Sequence, residues 1–127
     1  MSSFEAVLQS IVDECGGGWG AALMGLDGIA ISQVTASVPL DGTDPLAGDV
    51  TNAGIEFGRI LADMAKASDS LGTGSVREVA VSLDRVNLIF HMVEDDLVLV
   101  LALRPDGNLG KARYLIRRSL MEIRAEL

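Results

Sequence analysis

The chain has 127 residues, 49% of them hydrophobic and 22% charged. It is long enough for one domain with its own core and too apolar for disorder. Lys and Arg number 10 against 18 Asp and Glu, a net charge of −8; this repels phosphate backbones and anionic surfaces at long range and argues against nonspecific nucleic-acid binding. A single Cys excludes an intrachain disulfide and a multi-cysteine zinc site.

Met1 to Glu5 places no basic segment ahead of an apolar stretch. The longest apolar run, Leu97 to Leu103, is far short of the roughly 20 residues that span a bilayer. A cytoplasmic protein without membrane insertion is expected. Ser2 and Glu5 have capping-box spacing, and Phe4, Val7, Leu8, Ile11, Val12 and Cys15 follow at i, i+3, i+4 intervals, which predicts an amphipathic helix ended by Gly16-Gly17-Gly18. Trp19 to Leu26 and Ile29 to Val34 read as strands. Asp27-Gly28 between them predicts a type I′ hairpin with positive φ at both residues. Ala36 to Gly48, with Pro39, Gly42 and Pro45, reads as a loop of unusual length.

A second helix is predicted from about Asp49 to Ser70, or from Pro45 with Asp44 as its N-cap. Gly72 and Gly74 follow it. Val76 to Leu83, Val86 to Val93 and Leu97 to Leu103 read as three strands, and Asn108 as the N-cap of a last helix. The order helix-strand-strand-helix-strand-strand-strand-helix predicts an α/β (α+β) single domain over residues 1–127. Because Leu97 to Leu103 shows no alternation, that strand needs cover on both faces. The expected architecture is a five-stranded, mainly antiparallel sheet between helices.

No catalytic constellation, metal set or cofactor motif is signalled. Gly110-Lys111 runs into Ala112, with Pro105 where a phosphate loop needs its first glycine. Gly16, Gly17, Gly18 and Gly20 precede a strand, whereas a dinucleotide fingerprint follows one. His91 reads as a half-buried strand histidine, Cys15 as a core residue, and Glu94-Asp95-Asp96 as a solvated turn. Lys111, Arg113, Arg117, Arg118 and Arg124 make the last helix basic, which is either a solvated face or a dock for an acidic partner.

On a helical wheel the second helix carries Val50, Ala53, Phe57, Leu61, Met64 and Leu71 as a core stripe, with Ile60 at its edge. Beside it run Gly54, Gly58, Ala62 and Ala65, bordered by Ile55. Interior glycines cost about 1 kcal/mol each relative to Ala, so this strip needs a backbone close by. It is either a helix–helix seam between two subunits or a contact with the chain's own sheet. Asn52, Glu56, Arg59, Asp63 and Lys66 form the remaining polar face, with Asp63 placed to pair with Arg59 or Lys66.

The element order, the Gly25-x-Asp27-Gly28 hairpin followed by Ile29-Ala30-Ile31, the Leu97-to-Leu103 strand and Asn108-Leu109-Gly110-Lys111-Ala112-Arg113 together resemble the roadblock/dynein-light-chain domain family over essentially the whole chain. The resemblance implies a homo- or heterodimer in which second helices pack together and the following strand, here Val76 to Leu83, pairs across a two-fold axis. It places Gly54, Ile55, Gly58, Ala62, Ala65, Val79 and Val81 in the seam, and Asn52, Glu56, Arg59, Asp63 and Lys66 on an exposed ridge for a small Ras-like GTPase. Bacterial Mgl-type members regulate the nucleotide cycle of a polarity GTPase by remodelling its active site, without supplying a catalytic side chain. The expected function is therefore a homodimeric, non-enzymatic activator of GTP hydrolysis, with a scaffold subunit as the alternative. A small-molecule sensor is a third class, and would need a sizeable apolar pocket near Trp19 or Phe90. Mgl-type proteins tend to carry a segment beyond the domain, and this chain stops at Leu127, so no activity that depends on such a segment is expected.

Overall fold

The strand without alternation lies at the centre of the sheet. A computed structural model describes residues 3–38 and 43–127. It contains α1 (Ser3–Glu14), β1 (Gly18–Gly25), β2 (Ala30–Thr35), α2 (Thr51–Leu71), β3 (Glu78–Ser82), β4 (Asn87–Glu94), β5 (Leu97–Leu103) and α3 (Leu109–Ala125). The strands form one sheet in the order β2-β1-β5-β4-β3, and every neighbouring pair is antiparallel. All seven residues of β5 are buried. Leu97, Leu99, Leu101 and Leu103 face α1 and α3, while Val98, Val100 and Ala102 face α2. This gives the expected five-stranded sheet between helices.

Turn chemistry sets the connections. Asn108 caps α3, its side chain accepting from the Lys111 amide at 3.0 Å. Gly72 ends α2 with φ 66°, and its amide and that of Thr73 close on Asp69 and Ser68 carbonyls. The β1–β2 hairpin departs from expectation. Only Gly28 has positive φ, at 92°; Gly28 N donates to Gly25 O at 3.0 Å and Gly25 N to Ile29 O at 2.9 Å. Asp27 keeps negative φ, and its carboxylate accepts from the Ile29 amide at 3.1 Å. The connection is a tight turn closed by one left-handed glycine, followed by an irregular register.

Helix α2 starts close to Asp49, and the alternative start at Pro45 is corrected. Asp44 caps a separate turn, accepting from Leu46 and Gly48 amides at 2.9 Å each, and the helix proper begins at Thr51, whose amide donates to Asp49 at 3.1 Å. The Ser2–Glu5 capping box and the Pro39 and Gly42 part of the loop lie outside the described residues. After β2, Ser37 is tied to α1: its amide donates to Asp13 at 2.9 Å and its hydroxyl at 2.6 Å. These bonds hold the Asp13 carboxyl below its usual range.

Candidate functional site

Helix α2 lies alone on its side of the sheet. Its N-terminal half is seated over β1 and the β1–β2 hairpin, with Ala53, Gly54, Gly58 and Leu61 buried. A Cβ at Gly54 would overlap the Met24 thioether, reaching 2.7 Å from Cε, and one at Gly58 would lie 3.3 Å from the Leu26 carbonyl. What the two glycines admit is thus part of the chain itself, the Met24 side chain at Gly54 and the Leu26 carbonyl at Gly58. Both glycines are buried within the chain itself, the second of the two placements open to this strip. Ile55, on the hairpin side of the helix, is 54% exposed and neighbours Gly28; Ala62 is half-buried and Ala65 exposed.

Of the predicted core stripe, Val50, Ala53 and Leu61 are buried, and seating the glycine strip turns its larger members outward. Phe57 is half-buried and stacks on Phe90, ring centroids 5.3 Å apart. Ile60 and Met64, on the same border, are 48% and 40% exposed, and Leu71 76%. That border faces β3, since Phe90 is the register partner of Val79 and Leu88 that of Val81. Val79 and Val81 point to the α2 side and are half-buried. Among the described residues no strand pairs with the outer edge of β3. An uncovered apolar border of α2 therefore adjoins an open strand edge. The signal that locates it in the sequence is the glycine pair: a helix approaches a sheet most closely on its smallest face.

Asn52, Glu56, Arg59, Asp63 and Lys66 are all exposed, in one row along the outer side of α2. Among the described residues none of them makes an ion pair or a side-chain hydrogen bond; the pairing of Asp63 with Arg59 or Lys66 is not formed. The ridge is thus free to exchange water for a partner's polar groups.

On the opposite face, the β3–β4 register places Glu78 beside His91. The Glu78 carboxylate lies 3.6 Å from His91 Nδ1 and accepts from Arg113 Nε at 3.0 Å. His91 is buried rather than half-buried. Loss of solvent lowers its pKa, and the Glu78 carboxylate opposes this without reversing it. Sequence spacing gives no hint of this trio, because register and helix docking bring its members together. Cys15 is a core residue as expected, its thiol pushed up to about 11 by burial. Trp19 borders an open hollow of about 500 Å³ rimmed by Asp84, Arg85, Arg104 and Asp106, and Phe90 is sealed beneath Phe57. Neither offers the apolar pocket of a sensor. A cleft under the C-terminal half of α2, about 480 Å³, is lined by mixed charge including Asp69, Arg77, Glu94 and Arg124.

No protein-family profile matches the chain, and no curated protein matches it. Solved structures do. A roadblock/LC7 domain from Streptomyces avermitilis superposes with a TM-score of 0.77 at 18% identity, over 98% of this chain and 97% of that one. MglC from Myxococcus xanthus is 34% identical over 99% of this chain and 100% of its own, with a TM-score of 0.69. The chain belongs to the roadblock-domain family. Its fold is of the Mgl type, since MglB from Myxococcus xanthus also superposes, with a TM-score of 0.76 at 17% identity over 97% of this chain and 93% of that one. Among the described residues of this roadblock protein no helix is long and apolar enough to cross a membrane.

Proposed function

We propose that this roadblock protein is a homodimeric regulator of a small Ras-like GTPase that stimulates GTP hydrolysis by remodelling the GTPase's active site. The observation that carries the reading is the uncovered apolar border of α2 beside the open edge of β3, in a chain of Mgl-type fold. An open strand edge is a template for another strand. A two-fold axis perpendicular to the sheet at the edge of β3 joins the two sheets into one and buries Ile60 and Met64 with Val79 and Val81 in a self-complementary seam. In this arrangement Ile55 lies on the hairpin side of α2, away from β3, and stays outside the seam.

The two α2 ridges, each carrying Asn52, Glu56, Arg59, Asp63 and Lys66, then point from the same side of the dimer and form the surface for the GTPase. Arg59 sits within a helix rather than on a reaching loop, so it serves docking, and the reacting groups are the GTPase's own. The test is GTP hydrolysis by Ras-like GTPases of the same genome, with and without this protein. Turnover should rise, and the rise should be lost on Glu56→Lys or Arg59→Ala. Binding without any change in hydrolysis or exchange would leave a scaffold subunit instead.

A further inference from the structure

Charge in this molecule is segregated. Five of its 10 Lys and Arg lie in α3 (Lys111, Arg113, Arg117, Arg118, Arg124) with a single acid, Glu122, so the helix carries +4 while the rest of a chain of net −8 carries −12. The buried side of α3 is Ala112, Leu115, Ile116 and Ile123. Its outer side carries two large apolar side chains two turns apart, Tyr114 at 61% and Met121 at 82% exposure, with Arg117 and Arg118 between them.

The arginines differ in commitment. Arg113 is held by Glu78 at 3.0 Å and Arg124 by the Val93 carbonyl at 3.1 Å. Arg117 has no bonded partner among the described residues. Arg118 lies 5.5 Å from the Tyr114 ring centre, and its carboxylate partner, Glu14, is 3.9 Å away with both side chains more than half exposed. Such an exposed pair is worth about 1 kcal/mol or less and exchanges readily for another carboxylate. Tyr and Arg are the side chains most often found as interface anchors, and Met is a side chain that adapts to its partner.

We infer that the outer face of α3 docks a short acidic segment of a partner protein, whose carboxylates engage Arg117 and Arg118 and whose apolar side chains rest on Tyr114 and Met121. The segment must be short because the Debye length is about 8 Å at physiological salt. A narrow peptide meets only the helix's positive field. An acidic globular domain, an anionic bilayer or a nucleic acid would also meet the field of the −12 remainder. This reading is independent of the α2 ridge.

The test uses the full chain, isotope-labelled, titrated with a short fluorescent Glu-Glu-Leu repeat peptide, a Gln-Gln-Leu control, and phosphatidylglycerol-containing vesicles. The Glu peptide should shift amides between Arg113 and Arg124, and Arg117→Glu with Arg118→Glu should weaken it about tenfold. Met121→Glu, fully surface-placed, should weaken it with an unchanged melting temperature, and Arg59→Glu on α2 should leave binding intact. Equal binding of the Gln control, shifts centred on α2, or binding to vesicles with none to the peptide would each overturn the proposal.

Discussion

Gly54 and Gly58 sit one turn apart on α2 and meet different neighbours. At Gly54 a methyl group would overlap the fully buried Met24 side chain, and overpacking of this kind costs about 1–3 kcal/mol. At Gly58 it would meet the Leu26 carbonyl at 3.3 Å, a contact relieved by a shift of a few tenths of an ångström, against a gain in helix propensity of about 1 kcal/mol. Gly54→Ala should therefore lower the melting temperature, and Gly58→Ala should leave it nearly unchanged, as measured by thermal unfolding. His91 supplies a second expectation. Its native pKa lies below the ordinary 6.5 because burial disfavours the charged ring, so the unfolded chain takes up the proton first. His91's contribution is fully present above about pH 6.5 and is lost as pH falls from there toward the native pKa. Denaturant midpoints measured across that window should show the step in the native sequence, and His91→Gln should flatten it.

Each element was predicted within a few residues, because its signals are local: apolar periodicity, an Asn cap before α3, a glycine after α2. What periodicity left open was which of two adjoining stripes of α2 meets the sheet. Ranked by side-chain size, Phe57, Met64 and Leu71 belong inside; the structure instead buries the glycines and leaves Met64 and Leu71 exposed. A helix docks where closest approach buries the most backbone and sheet surface, and Met24 and Leu26 make that the glycine side. The same rotation separates two surface isoleucines by consequence. If the seam lies along β3, Ile60→Glu or Val79→Lys should convert a dimer to a folded monomer in light scattering, whereas Ile55→Glu should leave the dimer mass unchanged.

The whole molecule is a sheet covered on one face by two helices and on the other by one. β5 and β1 are sealed on both sides. The C-terminal half of α2, from Asp63 to Leu71, buries no residue. Opening free energies should follow that gradient. In hydrogen exchange the β5 amides should be the last to exchange; if the chain pairs along β3 as proposed, amides of α2 beyond Leu61 should exchange early in Ile60→Glu and markedly more slowly in the native protein. Equal rates in both would mean that the border of α2 stays uncovered.

From the residues alone came the element order, the need of an unalternating strand for cover on both faces, the exposed ridge of α2, the basic last helix and the family resemblance. These follow from backbone chemistry within a few residues of chain, where spacing and turn composition act directly. The tertiary structure decided which face of α2 is closed, that Gly28 alone turns the first hairpin, and that Glu78, His91 and Arg113 meet. The first and last of those depend on partners distant in sequence, the thioether of Met24 and a strand pairing, while the hairpin was decided by the bonds among Gly25, Asp27, Gly28 and Ile29. Periodicity sets how a helix is striped, but which stripe goes inward is settled by the surface it lands on.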